Sequence, residues 1–139
     1  MTRPLSQDYE SSFQRTADAI VSMAARLRRA GIPLVLVYIP DRLRSMLYKP
    51  HDDFPGLEPD SLRDRLAALA AHAGLTFVDP TPNFRQDPDA PSLFYPADGH
   101  MTAGGQALVA TATYQALRAD RRLESLVECS GFTAASAVR

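Results

Sequence analysis

The chain has 139 residues, 45% of them apolar and 22% charged, with a net charge of −1. That length supports one domain with a real core and excludes two, and the near-neutral charge announces no basic surface for nucleic acid or anionic lipid. The single cysteine, Cys129, excludes an internal disulfide, so folding does not depend on an oxidising compartment.

Residues from about Asp8 to Ala30 predict a strongly amphipathic helix, because Phe13, Ala17, Ile20, Ala24 and Leu27 alternate at spacings of four and three. Gly31 and Pro33 stop it. Leu34 to Ile39 then reads as a strand. It is apolar at every position, the pattern of a strand buried on both faces in a parallel sheet. Pro40 ends it, and a long connection follows to Pro59, whose first part, Arg42 to Leu47, reads as a short helix. Loops of such length in compact domains usually carry function.

Pro59 to Ala73 is the next predicted helix, with Leu62, Leu66, Leu69 and Ala73 on one face and Gly74 as its stop. Leu75 to Asp79 reads as a second strand, closed by Pro80-Thr81-Pro82. Arg85 to Pro91 reads as a polar, turn-rich loop. Thr102 is placed to cap a last helix whose buried stripe is Leu108, Val109, Ala112, Ala116 and Leu117. The pattern decays beyond Asp120, which divides the chain into a core of residues 1–120 and an expected flexible tail of residues 121–139. The order of helix, strand, helix, strand, helix predicts an α/β fold with a parallel crossover. With one partner for so apolar a strand, an open sheet edge and self-association through it are expected.

The segment ahead of the last helix, Leu93-Phe94-Tyr95-Pro96-Ala97-Asp98-Gly99-His100-Met101-Thr102, carries the candidate chemistry. A carboxylate two residues before a histidine can hold one ring nitrogen and leave the other free as a base. In parallel sheets ligands gather at the carboxyl ends of the strands, and Asp41, Asp79 and this loop all fall there. The competing reading makes Asp98-Gly99 a plain turn with His100 merely exposed. His51-Asp52-Asp53 lacks partners at metal-ligand spacing, so no metal or cofactor is expected. His72, near a helix end, reads as structural. Tyr48 and Phe54 suit either a pocket wall or packing under the long connection. Arg26, Arg28, Arg29, Arg42 and Arg44 read as solvated helix and loop ends, and Gly104-Gly105 is weak evidence for a phosphate loop.

The succession of strand ending in Pro40, strand ending in Asp79-Pro80, and Leu93-Phe94-Tyr95 before Asp98-Gly99-His100 resembles the C-terminal half of the SGNH (GDSL-type) hydrolases. The likeness runs from near Ile20 to Leu117. It implies part of a doubly wound, flavodoxin-like parallel sheet lacking its N-terminal strands. It also implies acyl or acetyl ester hydrolysis or transfer through a Ser-His-Asp triad, on an acyl ester or an acetylated carbohydrate. His100 would be the base and Asp98 its orienting group. Many members space the Asp three residues before the His. The spacing of two found here is similar to that of SGNH-like acetyl-transfer proteins of polysaccharide modification and some bacterial esterases. No Gly-Asp-Ser block follows a strand, and Ser6, Ser11 and Ser12 begin a helix with no strand before it. The nucleophile and the oxyanion-hole Gly and Asn are therefore expected outside this chain, which alone should be close to inactive.

Two other classes stay open: a non-catalytic remnant or interaction module of the same fold, and an unrelated small α/β binding protein. The N-terminus lacks the apolar core of a signal peptide, and the longest apolar run is far short of the roughly 20 residues that span a bilayer. As it stands the chain reads as cytoplasmic, with export an option if an upstream portion carries a signal.

Overall fold

A computed structural model describes residues 6–47 and 60–123. Helix α1 (Gln7–Arg29) starts at Ser6, whose hydroxyl accepts the Tyr9 N–H at 3.3 Å. It ends in a Schellman closure, the Gly31 N–H donating to Arg28 O and the Ile32 N–H to Leu27 O. Strand β1 (Val35–Val37) leads into the short α2 (Arg42–Leu47), and α3 (Ser61–Ala73) is followed by β2 (Thr76–Val78). The strands pair in parallel with Leu36 opposite Phe77, which confirms a parallel α/β unit of two strands among the described residues.

Two expectations need correction. The strands are three residues each, not six and five, and β1 is half-buried throughout while Ile39 is 54% exposed. Hydrophobic sequence alone cannot bury a strand; that takes a second neighbour, and β1 has one, β2, among the described residues. The segment read as a proline-closed turn is helical instead: α4 spans Thr81–Gln86, and a 3-10 turn covers Ala90–Leu93. Pro82 lies in the first turn of α4, where a missing N–H costs nothing. It opens a helix here rather than breaking one.

Helix α5 (Ala103–Ala119) runs back along β2. Its first turn is capped by Thr102, which accepts the Gly105 N–H at 3.4 Å and donates its own hydroxyl hydrogen to Ser92 O at 2.9 Å. Its far end returns to the start of β2, where the Thr76 hydroxyl donates to Asp120. Leu123, just beyond, is buried at 3% exposure, while residues 124–139 of the expected tail lie outside the described residues.

The core lies between α4, the 3-10 turn and α5. Phe84, Leu93 and Phe94 are buried, with Met101, Leu108 and Val109 packed against them. The Phe84 and Phe94 rings meet at 5.2 Å and a tilt of 36°, a favourable aromatic geometry. Gly105 is required where α5 crosses this cluster, because any Cβ there would collide with the Leu93 carbonyl oxygen and crowd the Met101 Cβ at 3.1 Å.

At the carboxyl ends of the strands, acids and arginines interlock. Asp60 binds Arg85 at 2.8 Å and Arg63 at 3.2 Å, and Arg63 reaches Asp79 at 3.6 Å. Burial opposes the charge on Asp60, yet the Arg85 hydrogen bond and the charges of Arg63, Arg85 and Arg44 outweigh it and hold its carboxyl below the usual range. Burial raises the Tyr38 phenol, which keeps it neutral.

Two outcomes follow. Gly105→Ala gains up to about 1 kcal/mol of helix propensity but overpacks a backbone carbonyl, at about 1–3 kcal/mol or more; urea denaturation should show net destabilisation. Asp60→Asn should cost about 1–2 kcal/mol at neutral pH. Because the folded carboxyl is depressed, its contribution is present above the unfolded carboxylate range and lost as pH falls through the folded value. The gap between wild type and Asp60→Asn in thermal melts should therefore close on acidification.

Candidate functional site

The stems of the loop carrying Asp98 and His100 are fixed first. Phe94 and Met101 form an antiparallel bridge, with the Tyr95 N–H donating to His100 O at 2.7 Å and the Thr102 N–H to Leu93 O at 3.0 Å. Both bridge residues belong to the apolar core. The tip closes through the Gly99 N–H to Tyr95 O at 3.0 Å. Gly99 sits at φ +72°, a left-handed conformation that a side chain would strain.

Asp98 uses both oxygens on His100. One accepts the His100 backbone N–H at 3.0 Å, and the other lies 3.2 Å from His100 Nδ1. The first of these bonds is the main reason the Asp98 carboxyl is depressed, with the imidazole contact adding to it. The His100 side chain is 83% exposed and that of Asp98 59%. The ring is thus held by Nδ1 while Nε2 faces outward, able to accept a proton from a group brought to it.

The sequence thus brings Asp98 and His100 together as expected, and places Asp41 and Asp79 at the same end of the sheet with other duties. Asp41 accepts the Arg44 N–H at 2.8 Å and pairs with the Arg44 guanidinium. Asp79 accepts the Thr81 N–H at 2.9 Å. Ser6 caps α1, and Ser11 and Ser12 make bonds within that helix. His72 is exposed in the last turn of α3, at the opposite end of the sheet. Tyr48, His51, Asp52, Asp53 and Phe54 lie outside the described residues. Among the described residues no group of acids, histidines and cysteines could hold a metal ion, and no helix is long and apolar enough to cross a membrane.

One residue of the site was read as a solvated end and is not. Arg42 Nη1 donates to Pro96 O at 3.1 Å, its Nε is buried without a partner, and the Arg42 Cβ lies 3.9 Å from where a Cβ on Gly99 would stand. Its stem therefore backs the loop tip and its head holds the loop's far side. Nothing local signals this, because Arg42 and Pro96 are 54 residues apart.

Arg42→Ala should leave the fold intact and loosen the loop. Amide exchange at Asp98, Gly99 and His100 should accelerate several-fold, while Phe84 and Leu108 stay protected. Unchanged exchange at the tip would show that the bridge alone holds it.

Comparison with curated proteins and with solved structures finds no match. A family model described as an SGNH hydrolase-like domain, acetyltransferase AlgX, matches residues 3–135. With nearly the whole sequence covered, the chain belongs to this family of SGNH hydrolase-like domains.

Proposed function

We propose that this chain supplies the base and its orienting carboxylate to an acyl-transfer or ester-hydrolysis site, with the serine nucleophile coming from outside these residues. The observation that carries the reading is the pairing of His100 Nδ1 with Asp98 at 3.2 Å on a backbone-fixed loop, with the ring exposed. Family membership supports acyl or acetyl transfer as the reaction type. An acyl ester, or an acetylated carbohydrate, is the substrate class by resemblance.

In this chemistry His100 Nε2 takes the hydroxyl proton of the serine as its oxygen attacks the acyl carbonyl. The imidazolium so formed is stabilised by Asp98 and returns the proton to the departing alkoxide. In the second half, water or an acceptor alcohol gives its proton to the same nitrogen, attacks the acyl-serine, and the serine oxygen recovers a proton. Several described hydroxyls are engaged elsewhere: Ser45 donates to Asp41 O, Ser92 to Asp89 O and Thr102 to Ser92 O. Among the described residues none hydrogen-bonds His100. Oxyanion donors are likewise expected from outside the described residues.

A second reading rests on the half-buried β1 and on exposed Val21, Met23 and Ile39. These suit an interaction module that pairs the edge of β1 left open among the described residues with another chain, and self-association in sedimentation experiments would support it.

The test has two readouts. In long-range ¹H–¹⁵N spectra the neutral His100 ring should be the Nδ1–H tautomer, and Asp98→Asn should shift it toward a mixture. Turnover of 4-nitrophenyl acetate should be near background for this chain and substantial for a version extended upstream. In the extended version His100→Ala should remove nearly all turnover, and Asp98→Asn should cost on the order of 10³–10⁴. Wild-type rates in a folded His100→Ala variant would leave Asp98-Gly99-His100 as a turn and nothing more.

A further inference from the structure

The end of the sheet opposite His100 has its own character. Helices α1, α3 and α5 all finish there, beside the first residues of both strands. In the described segments at this end, residues 24–34, 70–76 and 116–123, Arg26, Arg28, Arg29, Arg118, Arg121 and Arg122 face a single carboxylate, Asp120. Among the described residues arginines thus gather at this end, although the chain as a whole carries −1.

A groove of about 420 Å³ opens in this end, lined among others by Arg28, Ile32, Leu34, Leu75, Arg122 and Leu123. That volume falls within the range of small-ligand sites. Its two arginines are differently employed. Arg122 is neutralised: it grips Asp120 with two bonds at 2.9 and 2.6 Å, and it also donates to Gly74 O at 3.2 Å. This grip is the main reason the Asp120 carboxyl is held far below its usual range. Arg28 donates to the Ala73 carbonyl and pairs with no carboxylate among the described residues. That bond fixes the guanidinium at the groove without neutralising it, leaving further N–H donors for an acceptor. Apart from Thr76, whose hydroxyl is taken up by Asp120 and Arg122, the other side chains of the wall are apolar, and Ile32 is 52% exposed.

From this we infer a binding site for a small amphipathic organic carboxylate, its head on Arg28 and its apolar body against Ile32, Leu34 and Leu75. A fixed cation with no counter-charge among the described residues, at the rim of a largely apolar groove, favours a ligand with both parts. A bare anion would leave the groove empty, and a cationic amphiphile would meet the arginine cluster. The site is independent of the chemistry proposed for His100.

The test uses the chain as it is, with octanoate, octylammonium and sulfate as probes, followed by ¹H–¹⁵N spectra. Octanoate should give saturable shifts at the Gly31, Gly74, Leu75 and Thr76 amides and leave the His100 loop unmoved. Arg28→Gln should weaken binding about tenfold or more, and Arg28→Lys should restore it to within about threefold. Absence of saturable octanoate shifts would overturn the site. So would equal binding of octylammonium, equal shifts with sulfate alone, or unchanged affinity in folded Arg28→Gln.

Discussion

The arrangement depends on one packed junction, where the Phe94–Met101 bridge is seated on the cluster of Phe84 and Leu93 and the start of α5 is pressed against Leu93 O. The loop that carries Asp98 and His100 hangs from it. The loop tip carries polar and charged residues with little area of their own to bury, so its order is borrowed from the two stems. Gly105 sets how closely the helix approaches, and Thr102 joins the helix start to the 3-10 turn through Ser92. A change at any of these points displaces Asp98 and His100 together.

The Asp98–His100 side-chain contact does not itself hold the site. Contacts this exposed are weak and are screened by salt. The orienting work falls to the backbone: the bridge, the left-handed Gly99, the Asp98-to-His100 N–H bond and the Arg42 bond to Pro96 O. The side-chain contact then selects which ring nitrogen is engaged. Orientation by backbone with selection by carboxylate suits the base role proposed for His100.

Charge is divided by the same architecture. At the carboxyl ends of the strands, Asp41 takes Arg44, and Asp60 and Asp79 take Arg63 and Arg85. Arg42 is left to the loop. At the opposite end, helix C-termini attract arginines because the helix dipole leaves partial negative charge there. Arg28 and Arg122 bond directly to the terminal carbonyls of α3. Seventeen residues of α5 separate the two ends, a span of about 25 Å, so ligand binding at one has no direct contact with the other.

Local sequence determined a good deal. The three long helices follow from apolar spacing and from Gly31, Gly74 and Thr102, and the parallel pairing follows from a helix between two apolar runs. The Asp98-Gly99-His100 pairing was legible too, because a two-residue separation in a turn leaves few other places for the carboxylate. The tertiary structure decided the rest. Strand burial depends on neighbours, so Leu34 to Ile39 shortened to three residues and Ile39 stayed exposed. Pro82 began a helix because Phe84 could be buried in the core. Arg42 reached Pro96, and Arg28 came to the start of β2, only because the crossover folds distant segments onto each other. Contacts between residues tens of positions apart carry no local pattern, so the loop's support and the basic end of the domain became visible only once the chain was folded.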